Sequence, residues 1–177
     1  MTERDQDTKE KLVRSLQGEE CIVSKGPTLQ RGQITRAVAS DWGASFVIDP
    51  LPTGGGIPDV ERSLMLGGDW EYLQVSPVGV SARRLDWTIV TDHVMVGRMR
   101  TLVAENVDLL VLNKALLFVV SIKETAHQQC AERKQRGEEV ANCDAAAAAP
   151  ILESMTDPGL VNIKYTIKRL LDLPPDD

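Results

Sequence analysis

The sequence predicts an α+β fold: a single β-rich globular domain over residues 13–177, preceded by a charged flexible arm at 1–12. Three observations carry the prediction. Between Cys21 and about Val96, short apolar runs alternate with Gly and Pro, the spacing of strands joined by turns. From Arg98 to Arg136 there is no Gly or Pro, and Leu116, Val119, Val120, Ala126 and Cys130 recur at helical spacing. Near the C-terminus Val161, Ile163, Tyr165 and Ile167 alternate with Asn162, Lys164, Thr166 and Lys168, the period-two pattern of a half-buried strand. The C-terminal half is therefore expected to hold one long helix, one short helix and a final amphipathic strand.

The elements follow in chain order. The opening stretch MTERDQDTKEK carries nearly alternating charges and almost no apolar side chain, which reads as a mobile tail or a fraying helix start. The runs CIV, ASFVI, SLML, EYLQV and LDWTIV are bounded by turn residues such as Lys25-Gly26-Pro27, Gly67-Gly68-Asp69 and Ser76-Pro77, and read as strands. His93 falls in TDHVMV, a strand or strand end in this reading. Within Asn106–Ile122 a buried helix and two strands hinged at Asn113-Lys114 both fit, and the length of the pattern favours helix from about Asn113 onward. Gly137, after the basic run Arg133 to Arg136, ends that helix. Asp144 is the expected N-cap of a short helix over Ala145 to Ala149, limited by Pro150.

No catalytic or cofactor motif emerges. The stretch PLPTGGGIPD has three glycines after a strand, but a phosphate loop needs a Lys and a Ser or Thr after its last Gly. Here Ile57 and Pro58 follow, and Pro58 has no amide to offer. The reading is an exposed connection whose length folding tolerates. Of the two histidines, His127 lies one helical turn before Cys130, and with Cys143 gives three of the four ligands of a structural zinc. No fourth ligand lies near, so no metal and no cofactor is expected. The three cysteines read as thiols of a reducing compartment. Carboxylate neighbours such as Glu19-Glu20 read as a solvated face.

Charge narrows the partners. The formal net charge is −6 and the pI about 5.0, which argues against a protein that lives on nucleic acid by bulk electrostatics, and no sequence-specific nucleic acid partner is expected. Aromatics make up 4% of the chain, too few for single-strand stacking platforms. Against this acidic background Arg83, Arg84, Arg98, Arg100, Lys164 and Lys168 are the candidate contacts to an anionic partner. No run reaches the roughly 18 apolar residues of a membrane-spanning helix. The N-terminal stretch has no apolar core of a secretory signal, so an intracellular, cytoplasmic location is expected.

The polar N-terminal arm, the β-rich middle and the following helix together resemble, in size and layout, the small matrix proteins of plant rhabdoviruses, especially the cytoplasmic group. The resemblance implies a structural protein that self-associates, condenses the nucleocapsid and meets the membrane and envelope glycoprotein, in the virion and the host cytoplasm. The chain departs from many matrix proteins in being acidic, and its only Pro-Pro pair, Pro174-Pro175, lies at the far end. No functional residue is carried over. A cytoplasmic protein-binding adaptor and a small enzyme are the other classes that the sequence leaves open. The apolar segment LLVLNKALLFVVSI can fill a core, or place its excess in an interface between copies.

Overall fold

The computed structural model of the chain describes residues 3–40, 43–51, 56–67, 70–76, 79–139 and 142–175. The class is α+β, with five α-helices and a seven-stranded sheet among the described residues. Contacts within the chain divide it into two compact units, Met1–Leu110 and Val111–Asp177.

The first unit holds helix α1 (Glu3–Arg14) and strands β1 (Glu20–Lys25), β2 (Thr28–Ser40), β3 (Gly43–Asp49), β4 (Leu64–Leu66), β5 (Tyr72–Ser76), β6 (Gly79–Arg84) and β7 (Trp87–Val90). Helix α2 (His93–Ala104) follows. Residues 3–12 of the N-terminal stretch, read from the sequence as a mobile tail or a helix start, belong to a helix: α1 starts on Glu3 and Asp5 and ends on Lys11 and Arg14, charges that suit its dipole. Its one buried residue is Val13.

The sheet order is β4-β3-β2-β1-β7-β6-β5, and the pairings between its strands are antiparallel. Helix α1 packs on both β2 and β5, strands that three others separate, so the sheet curls around it. Val13 and Leu16 accordingly join Cys21, Val23, Ile34, Phe46, Ile48, Ala82 and Ile89 in one buried cluster. Central strand β1 is buried on both faces. Cys21 and Val23 enter that cluster, while Ile22 and Ser24 point the other way, and α2 also packs on β1.

His93 opens α2 and does not end a strand. Asp92 is the N-cap, its Oδ1 accepting hydrogen bonds from the Val94 and Met95 amides at 3.0 and 3.2 Å. Asp92 beside His93 thus serves as a helix cap.

The second unit is helical. Helix α3 (Leu109–Gln135) starts just ahead of it, runs unbroken through Asn113 and Lys114, and is followed by α4 (Cys143–Ser154) and α5 (Val161–Leu171). Gly137, at φ 72°, closes α3 as expected. The N-cap of α4 is Asn142 and not Asp144, its Oδ1 accepting from Ala145 N at 3.4 Å, and the helix continues past Pro150. The segment expected to be the final strand is helix α5. Ile163, Ile167, Leu170 and Leu171 are buried at helical spacing, whereas Val161 and Tyr165 of the supposed apolar face are exposed. At 100° per residue the buried set shares one side of a helix, which a strand could not arrange. Cys130 and Cys143 are joined in a disulfide between α3 and α4, with Cα atoms 6.2 Å apart, so only Cys21 remains a thiol. Among the described residues no helix is long and apolar enough to cross a membrane.

Candidate functional site

The clearest recess of the second unit runs along α5. The side of this helix opposite its buried stripe carries Val161, Lys164, Tyr165, Lys168 and Arg169, one turn after another. Met155 borders this stripe on one hand and the C-terminal residues Leu173 and Pro175 on the other, which makes it a groove of about 580 Å³. Arg169 lies over the Tyr165 ring, 5.6 Å from its centre, and donates to the phenol oxygen at 2.5 Å. Among the described residues the acidic one in the lining is Asp157, whose Oδ1 accepts from Gly159 N at 2.8 Å as the cap of the turn before α5.

The structure brings Lys164 and Lys168 together, as side-chain neighbours on α5 and not across a strand. Tyr165, which the sequence reading put on the apolar face of a strand, and Arg169 lie beside them in the lining, and neither was named as a contact. The helical repeat of Lys164, Tyr165, Lys168 and Arg169 was the available signal.

The other four candidate cations belong to the first unit. Arg83 on β6 pairs with Glu71, and Arg84 donates to the Gly67 carbonyl at 2.6 Å. Arg100 on α2 pairs with Glu20, and Arg98 is half-buried on the same helix. Arg83 and Arg100 therefore hold carboxylates of their own chain. Glu20 is not a solvated face residue, its side chain being 16% exposed between Arg100 and Arg31.

Arg31 was not singled out by sequence, because its strand position alternates with ordinary polar residues. Its side chain is 2% exposed, with Nε 3.3 Å from Asp59 and 3.7 Å from Glu20, and it donates to the Leu51 carbonyl at 2.8 Å. Residues 52–55 of the glycine-rich stretch lie outside the described residues. The remainder is pinned, and not a loose connection: Ile57 and Val60 are buried, and the Arg31 and Val60 amides bond across to Pro58 O and Arg31 O.

A second recess, of about 440 Å³, lies on the outer face of β2, β3 and β4. Arg36, Val47 and Met65 form one cross-strand row there, and Met65 is 83% exposed. Of the zinc candidates, Cys130 and Cys143 are bonded to each other and His127 is exposed one turn away. Set against protein-family models, curated proteins and solved structures, the chain matches none.

Proposed function

We propose that the chain is a non-enzymatic structural protein that associates with copies of itself, in the manner of a viral matrix protein, and links that assembly to a nucleocapsid or other protein partner. The observation that carries this reading is the outer stripe of α3. Leu112, Leu116, Val119 and Val120 are buried on one side of that helix. Leu110, Leu117 and Phe118 are 48%, 37% and 38% exposed on the opposite side, sharing it with Lys114 and Ser121. Single exposed apolar residues are ordinary, but three aligned on one helix make a patch. Covering half-exposed side chains of this size is worth about 1 kcal/mol each, counted twice across a two-fold axis. That is enough for weak, concentration-dependent association.

The resemblance to rhabdovirus matrix proteins supplies the setting. Membrane contact in this reading is peripheral and made to anionic head groups, with the cytoplasm and the virion as locations. The Cys130–Cys143 bond fits a protein that meets an oxidising environment at some stage, as a released particle does.

Sedimentation velocity over a range of concentrations tests the reading. The wild type should gain mass with concentration, at low and high salt alike, because the contact is apolar. A Leu117→Glu, Phe118→Ser variant with unchanged helical content should stay monomeric. A wild type that is monomeric at every concentration would overturn the proposal.

A further inference from the structure

We infer that two copies of the chain pair antiparallel through α3, about a two-fold axis between Leu117 and Phe118, so that Lys114 of each copy faces Ser121 of the other. The inference rests on the self-association proposed above and adds its orientation and register.

The outer stripe of α3 sets the geometry. Leu110, Lys114, Leu117, Ser121 and Thr125 follow one another at steps of three or four residues, with Phe118 beside Leu117. At 100° per residue they share one side of the helix, the spacing of a seam along which two helices pack. Thr125 is half-buried and the others are exposed, whereas Leu112, Leu116, Val119 and Ile122 hold the core side. Lys114 stands in the middle of the apolar part of this seam. Among the described residues its ammonium group makes no ion pair.

Orientation follows from what Lys114 meets. Parallel helices in register set each residue against its own copy. Two ammonium groups would then lie side by side within an apolar contact, with the helix dipoles aligned. An antiparallel pair centred on Lys114 has the same fault. With the axis at the Leu117–Phe118 step, Leu117 meets Phe118 twice and Leu110 meets Thr125. Lys114 meets the Ser121 hydroxyl, a neutral acceptor. Lys114 and Ser121 are seven residues apart in the sequence, so the two ammonium groups are separated by at least about 10 Å along the axis. That exceeds the screening length of about 8 Å at physiological salt.

The occupant is a second copy because the seam matches itself in this register, apolar on apolar at the centre and cation on hydroxyl at either side. No like charges meet, in keeping with association indifferent to salt. Three half-exposed apolar side chains fall well short of the roughly 800 Å² per partner of a standard interface, so the pair is weak.

Sedimentation velocity on full-chain variants at position 121 tells the orientations apart by sign. Ser121→Glu places a carboxylate opposite Lys114 twice per dimer, and should tighten association about threefold at low salt and less at high salt. Ser121→Lys should weaken it by about the same factor. Lys114→Glu combined with Ser121→Lys reverses both charges and should associate more tightly than Ser121→Lys alone. In a parallel pair residue 121 faces its own copy, and Glu and Lys there would both weaken association. Ser121 is exposed, and unchanged melting temperatures certify each fold. Should Ser121→Glu fold poorly, the charge-reversed double variant carries the same test. Weakening by both substitutions at 121, or indifference to both, would overturn the inference and leave self-association standing. A wild type that is monomeric at every concentration would overturn the two together.

Discussion

Arg31 and Asp59 face each other across an isolated parallel bridge, with the guanidinium Nε 3.3 Å from the Asp59 carboxylate. The same guanidinium reaches Leu51, so one buried side chain grips both ends of the glycine-rich stretch. Truncating one partner of a buried charge network leaves the others without compensation. Arg31→Ala should therefore cost about 3 kcal/mol in urea unfolding, and Asp59→Asn clearly less, because Asp59 is 28% exposed. A loss below about 1 kcal/mol for Arg31→Ala would remove the clamp from the account.

Gly56 makes a sharper demand. Its φ is +80°, and a β-carbon there would lie 2.4 Å from Cγ1 of Val103 on α2. Gly56→Ala should destabilise by more than about 1 kcal/mol, since strain and overlap add. Gly54 and Gly55, outside the described residues, keep the expectation of losses under about 1 kcal/mol on change to Ser. Equal tolerance at all three positions, measured by urea midpoints, would contradict this.

Burial at the sheet centre pushes the Cys21 thiol up from 9.0 to about 12, with a backbone hydrogen bond to Gly32 acting weakly the other way. The folded chain thus keeps Cys21 neutral at pH values where the unfolded chain ionises it. Stability from this group is whole below about pH 9 and is lost as pH rises toward 12. By about pH 10 the loss should be on the order of 1 kcal/mol. Cys21→Ala should show a shallower alkaline decline than the wild type, and parallel declines would refute the assignment. Iodoacetamide should label Cys21 slowly in the native protein and fully in denaturant.

The disulfide closes a sequence separation of 13 residues. A loop of that order is worth about 3 kcal/mol through the unfolded chain. Reduction should lower the melting temperature of the helical unit, and a Cys130→Ser, Cys143→Ser variant should reproduce the reduced protein and no longer respond to reductant. Non-reducing peptide mapping that finds both thiols unpaired would sink the prediction.

Helix α3 was legible in the sequence, because Leu116, Val119, Val120 and Ala126 are buried at the spacing that announced them. Strands β1, β3, β4, β5 and β7 were legible for a similar reason, as apolar runs between turn residues. Strand β2 was harder: Arg31 and Gly32 are both buried, on opposite faces of the sheet, and no apolar pattern would mark them. Helix α1 buries Val13 alone and has only Leu12 and Val13 as apolar side chains, so no apolar stripe exists to detect. In α5 the residues Ile163 and Ile167 satisfy both a period of two and one of 3.6. The exposed Val161 and Tyr165 tipped the reading to a strand, although Leu170 extends only the helical one. The groove inherited that ambiguity. Lys164 and Lys168 stand out as charges in any conformation, whereas Tyr165 and Arg169 join them only once the segment is coiled.

The bond between α3 and α4 has a consequence for proteolysis. Arg136 is exposed between the two cysteines, so a tryptic cut after it severs the backbone inside the cross-linked stretch. The two fragments would remain one molecule, migrating together until a reductant parts them. A protease meeting this linker would nick the protein without dividing it.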